Sequence, residues 1–112
     1  MLVAIAVVVT GLGSGCATVP LQTEKSTSGI RAAEEVGAHK VPRAALHLQL
    51  AKEALSKAKK LSDNGMKAEA QSMLLRAEAD AELAVALSRE DAEQTETKAQ
   101  LEQVRKLRED NK

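Results

Sequence analysis

From Met66 to Lys112 the chain contains neither glycine nor proline. An uninterrupted stretch of that length, with apolar residues at helical spacing, predicts one long α-helix. Ala70, Met73 or Leu74, Ala77, Ala81, Ala84 and Leu87 or Ser88 form its inner stripe. A second stripe precedes it. Ala44, Leu48, Ala51, Leu55 and Ala58 recur at alternating spacings of four and three. Leu46, Leu50, Ala54 and Leu61 widen that stripe into a broad apolar face. The punctuation between the segments is firm. Pro42 opens the earlier helix, because proline suits a first turn and disfavours helix in the residue before it. Ser62-Asp63-Asn64-Gly65 closes it, with Asn64 or Gly65 taking the left-handed conformation that ends helices. A connection this short makes the two helices antiparallel neighbours.

The hairpin so built is unequal. Residues 42–61 make roughly 30 Å of helix and residues 67–110 make about 66 Å. Between Arg89 and Thr97 the long helix is polar all round, and its apolar pattern resumes only as Leu101, Val104 and Leu107. Either the chain bends back near Ser88–Thr97, or its last third protrudes. The expectation is a continuous helix whose outer end is frayed alone and ordered by a partner, with Leu101, Val104 and Leu107 as the partner surface. Upstream, Ile30–His39 predicts a short helix through Ile30, Ala33 and Val36 or Gly37, capped by Ser28. The fold class expected is all-α: a short N-terminal helix plus an antiparallel helical hairpin with a long, partly protruding, coiled-coil-like second helix. Residues 30–112 make this domain.

Composition bounds what such a domain does. The chain has 112 residues, 16 Lys plus Arg against 16 Asp plus Glu, and no Phe, Trp or Tyr. That is room for one small domain. Balanced charge argues against nucleic acid as a partner, since binding it requires surplus cations. The missing aromatics remove the stacking platforms of single-strand binders and thin the core. No enzyme constellation is visible. His39 and His47 flank Pro42 and belong to no metal-ligand spacing, and Glu35 four residues before His39 makes at most two ligands. Glu78, Asp80 and Glu82 alternate at i, i+2, which sends neighbours to different sides of a helix. Ser88 has no adjacent base, and Met66 and Met73 read as core filling. Lys57, Lys59 and Lys60 read as a solvated helix end, or as a patch for anionic lipid heads. No cofactor or metal is implied.

The first 15 residues carry no charged side chain. Leu2–Val9 is an unbroken apolar run, the size of a signal-peptide core and too short to span a membrane. Gly11-Leu12-Gly13-Ser14-Gly15 lacks the following Lys-Ser/Thr of a phosphate loop. Instead it leads to the chain's one cysteine, Cys16. This segment resembles a bacterial lipobox, in which small residues precede a cysteine that is acylated and becomes the new N-terminus. Ser14, Gly15 and Cys16 fit, whereas Gly13 stands where the pattern usually has Leu. The usual basic start is absent, and an upstream initiator would supply it. The resemblance implies a signal peptide over residues 1–15 and lipidation at Cys16. Residues 16–29, rich in Thr, Ser, Gln, Pro and Gly, then form a flexible tether. Ala17 after the cysteine, in place of the Asp that retains lipoproteins at the inner membrane, implies the periplasmic face of a Gram-negative outer membrane.

Residues from about Ala32 to Leu107 resemble the bacterial domain-of-unknown-function family numbered 4398. The likeness rests on Val41-Pro42-Arg43-Ala44, Leu48 through Leu55, Lys67-Ala68-Glu69-Ala70 and above all Arg76 through Ala84. It implies a short envelope lipoprotein near peptidoglycan, with no catalytic residues to carry over. Asn64 through Ala70 is similar to the inter-helix turn of a tetratricopeptide repeat, although a solenoid needs at least about three such units. Lipidation, an Ala-rich helix and a terminal Lys112 also resemble Braun-type lipoproteins, which are joined to peptidoglycan through a C-terminal lysine. Val41-Pro42 and Asn64-Gly65 interrupt the heptads of that family. The function expected is a non-enzymatic envelope lipoprotein, held at the membrane by its lipid, that meets an envelope protein or a second copy of itself. A small-ligand or hydrolase-accessory module is the alternative from another class.

Overall fold

The computed structural model describes residues 20–112. Residues 1–15, which the sequence suggests as a signal peptide, and Cys16 lie outside the described residues. Helix α1 spans Glu24–Glu35, α2 Pro42–Asp63 and α3 Lys67–Asp110, with a single 3-10 turn at Ala38–Lys40. The described residues contain no strand.

Local chemistry sets the boundaries. Pro42 occupies the first turn of α2, and Val41 before it is extended, with φ −105° and ψ 113°. At the other end, Gly65 adopts φ 76°. Its N–H donates to the Ser62 carbonyl at 2.9 Å, and the Met66 N–H donates to Leu61 at 2.9 Å. These two bonds are a Schellman closure, which satisfies carbonyls that a helix end otherwise leaves open. α3 then runs unbroken to Asp110, so the chain does not turn back between Ser88 and Thr97.

Side-chain size governs the packing. Ala44, Ala51 and Ala58 of α2 and Ala70, Ala77, Ala81 and Ala84 of α3 have no solvent exposure. Leu48 and Leu74 fill the intervals. Among fully buried side chains the largest are Leu74 and Ser26. A seam of methyl groups lets two helix backbones come close, and many small dispersion contacts then replace a few large side chains. Leu46 does not join this face. It is 58% exposed, because its place on the helix turns it away from α3. Leu50, Leu55 and Leu61 sit half-buried at the margins.

α1 corrects the sequence reading in three ways. It begins at Glu24, inside the stretch read as tether; it ends at Glu35, before the left-handed Gly37; and Ser28 lies within it and does not cap it. The cause is tertiary. Ser26 is fully buried and its hydroxyl donates to the Leu74 carbonyl at 3.3 Å. Gly29 faces Ala81, whose Cβ stands 3.2 Å from where a Cβ on residue 29 would lie. Ser26 and Gly29 therefore extend the apolar positions Ile30 and Ala33 with small side chains, so that a segment of linker-like composition seats a helix. α1 runs parallel to α3, from Ser26 beside Leu74 to Ala32 in a groove with Val85 and Arg89. α2 runs antiparallel to both. Lys52 on α2 pairs with Glu34 on α1. The lysine's hydrogen bond and charge hold the Glu34 carboxyl below its ordinary range. A carboxylate so lowered contributes above its unfolded value, and that contribution disappears as pH falls through the folded one. Solvent screening keeps it small.

Gly29→Leu is expected to cost about 1–3 kcal/mol by overpacking the α1–α3 contact. Ala79→Leu, on an exposed position of α3, is expected to change stability by less than about 0.5 kcal/mol. Urea midpoints followed by circular dichroism distinguish the two.

Candidate interaction surface

The α2–α3 seam ends for a reason written in α3. Continuing its spacing beyond Ser88 places Asp91, Thr95, Lys98, Glu102 and Arg105 at the positions that would face a partner helix. The Ser88 hydroxyl bonds back to the Ala84 carbonyl at 2.9 Å, closing the last buried turn. The start of α2 reaches a little further, where Val41 and Arg43 border a shallow groove with Leu87, Glu90, Asp91 and Gln94. Every residue from Arg89 to Lys112 is exposed.

Helical bonds and neighbouring side chains hold this overhang. Gln94 donates to Glu90 at 3.0 Å, Gln100 to Glu96 at 3.1 Å and Arg105 to Glu102 at 3.0 Å. Asn111 donates to the Leu107 carbonyl at 2.8 Å and so closes the tip. Pairs of this kind add about 0.2–0.5 kcal/mol each. Leu101, Val104 and Leu107 are 64%, 45% and 55% exposed. Covering what they leave in water is worth about 2–4 kcal/mol in total, more than the paired side chains supply. The structure brings these three residues onto adjoining positions of one side. Leu83, 41% exposed, lies about five turns earlier in line with Leu101. Leu83 and the exposed Leu75 fall between the inner-stripe positions, so spacing alone gives them no face.

The remaining candidates are dispersed. His47 Nδ1 lies 2.9 Å from Asp80 Oδ1 across the hairpin, with Arg76 3.8 Å from the other carboxylate oxygen. Glu78 and Glu82 turn the opposite way and line an open groove with Glu24, Lys25, Ser28 and Gly29. His39 and Glu35 are exposed at the α1–α2 corner. Among the described residues no three His, Cys, Asp or Glu side chains gather as metal ligands. Met66 is 43% exposed and Met73 is half-buried beside Arg76, so neither fills the core. Lys57, Lys59 and Lys60 are exposed near the turn end of the hairpin. No described helix is long and apolar enough to cross a membrane. Neither family models, nor curated proteins, nor solved structures give a match to this chain.

The His47–Asp80 contact was within reach of the sequence. In an antiparallel hairpin, residues at similar distances from the turn lie at similar levels, and His47 stands 17 residues before Asn64 while Asp80 stands 16 after it. What hid it is that neither residue belongs to a local pattern of its own: His47 fits no metal-ligand spacing, and Asp80 sits within the Glu78–Glu82 carboxylate series.

Replacing Leu101, Val104 and Leu107 together by Ser is expected to leave the bundle's unfolding free energy within about 0.5 kcal/mol of the parent. Asp80→Ala is expected to cost about 1–2 kcal/mol, because it strips a half-buried imidazole of its partner. Calorimetry on the two variants checks both.

Proposed function

We propose that this chain is a non-enzymatic lipoprotein of the bacterial envelope, acylated at Cys16, whose helical body carries a docking surface away from the membrane. The arrangement of the ends carries this reading. Pro20, Leu21 and Gln22, where the chain enters the body, lie beside Ser62, Lys67 and Gln71 at the turn end of the hairpin. Leu101, Val104 and Leu107 project from the opposite end, about 50 Å or more along α3. A tether at one end and an uncovered apolar strip at the other suit a spacer that presents a surface at a fixed height. Lys57, Lys59 and Lys60 fall at the tethered end, where cations favour an anionic lipid surface.

The lipobox-like run Ser14-Gly15-Cys16 supplies the anchor. The likeness to the family numbered 4398 supports an envelope setting, and Ala17 supports the outer membrane. In this reading residues 17–23 serve as the tether, shorter than the sequence alone implied because α1 begins at Glu24.

The test is processing and partitioning. The protein is expected to gain acyl label, to enter the detergent phase, and to accumulate as precursor under globomycin, whereas Cys16→Ser enters the aqueous phase without label. An unlabelled, water-soluble parent protein would overturn the lipid anchor.

A further inference from the structure

The uncovered end of α3 carries its charges in two blocks. Glu90, Asp91, Glu93 and Glu96 occupy its first part, where Arg89 is the sole cation, and Lys98, Arg105, Lys106, Arg108 and Lys112 follow against Glu102, Glu109 and Asp110, so the first part is net acidic and the second net basic. The apolar strip lies at the basic end. We propose that this surface binds a second copy of the chain, antiparallel, through the overhangs of the two α3 helices. The proposal rests on the docking role given to Leu101, Val104 and Leu107 and names what covers them.

Two geometric facts favour that occupant. First, a two-fold contact needs a patch that complements itself, and an acidic block followed by a basic block does so only when the copies run in opposite directions. A parallel pair would set acid against acid and base against base. Second, one register satisfies the whole face. Glu93, Thr97, Leu101, Val104 and Arg108 share one side of the helix at spacings of three and four, and Gln100, three or four residues from Thr97 and Val104, lies on the same side. Placing the axis between Gln100 and Leu101 sets Glu93 opposite Arg108 of the second copy and Thr97 opposite Val104. Leu101 of both copies then gathers at the axis. The same register brings Glu90 close to Lys112. Each of these contacts occurs twice. The ion pairs within one chain, Arg105 with Glu102 and with Glu109, are exposed and weak enough to yield. Antiparallel alignment also opposes the two helix dipoles.

Such a dimer is a rod. Each turn end lies about 50 Å from the axis, so the two tethers stand about 100 Å apart.

The experiment uses the full chain carrying Cys16→Ser, so that neither the acyl group nor the native thiol intervenes. Sedimentation equilibrium is expected to show a monomer–dimer equilibrium that weakens with salt. Glu93→Arg and Arg108→Glu are each expected to weaken the dimer on the order of tenfold, and the double variant to restore it. Thr97→Cys mixed with Val104→Cys is expected to give the mixed disulfide, while either alone stays uncrosslinked, its two sulfurs being about 10 Å apart along the rod. Self-crosslinking of each variant would show a parallel pair and overturn the proposal. A monomer at every concentration would overturn it too. If that monomer, with Cys16 intact, still holds an envelope protein that Leu101→Ser and Val104→Ser release, the docking surface stands and only its occupant changes. If those substitutions release nothing, the docking surface falls as well.

Discussion

Everything in this molecule depends on how closely its helices approach through alanine. Ala44, Ala51 and Ala58 meet Ala70, Ala77, Ala81 and Ala84 along a seam that water does not reach. A methyl group buries little area, so no single contact anchors the hairpin. Stability comes from the length over which small side chains interlock, and a bulky residue at any level would separate the backbones at the levels on either side. The same rule accounts for α1. Ser26 and Gly29 are poor sources of hydrophobic free energy, but they occupy almost no space. They let α1 settle against Leu74 and Ala81, with the serine hydroxyl supplied with a carbonyl acceptor.

The rule also marks what a sequence displays and what it conceals. Pro42, Gly65 and the four-three recurrence of Ala and Leu act through local geometry and periodicity, so α2, α3 and their antiparallel turn were legible. The contents of the inner stripe were legible for the same reason. The start of α1 was not. Glu24 to Gly29 has the composition of a linker, and only the shape of α3 turns it into a helix, a case in which packing overrides propensity. Leu46 failed in the opposite sense. Its hydrophobicity suggested the core, while its angular position excludes it. For the candidate surface, Leu101, Val104 and Leu107 stood out because they resume a lapsed pattern. Leu75 and Leu83 stayed hidden in the richer background of the inner stripe.

The seam's dependence on length explains why α3 outlasts its partners. Where alanine gives way to Asp91, Thr95 and Lys98, no helix can be held at close range, and α3 continues alone. Its backbone needs no partner, since each turn propagates from the last and the first turns are fixed in the bundle. The bundle therefore acts as a nucleus that keeps an otherwise marginal helix formed and holds its apolar strip in the open.

Zero net charge describes this chain poorly. In the body the two signs are interspersed, and pairs such as Glu34 with Lys52 neutralise locally. In the overhang their balance shifts along the axis, from a net acidic part over residues 89–96 to a net basic part over residues 98–112, each longer than a Debye length of about 8 Å, so an approaching molecule feels each as a field of its net sign. An apolar strip alone would accept any helix of suitable width. Set beside such a field it discriminates by direction as well as by shape, because the partner that reverses the order of the blocks gains attraction along the full contact. The chain that carries that reversed order is the same chain turned end for end.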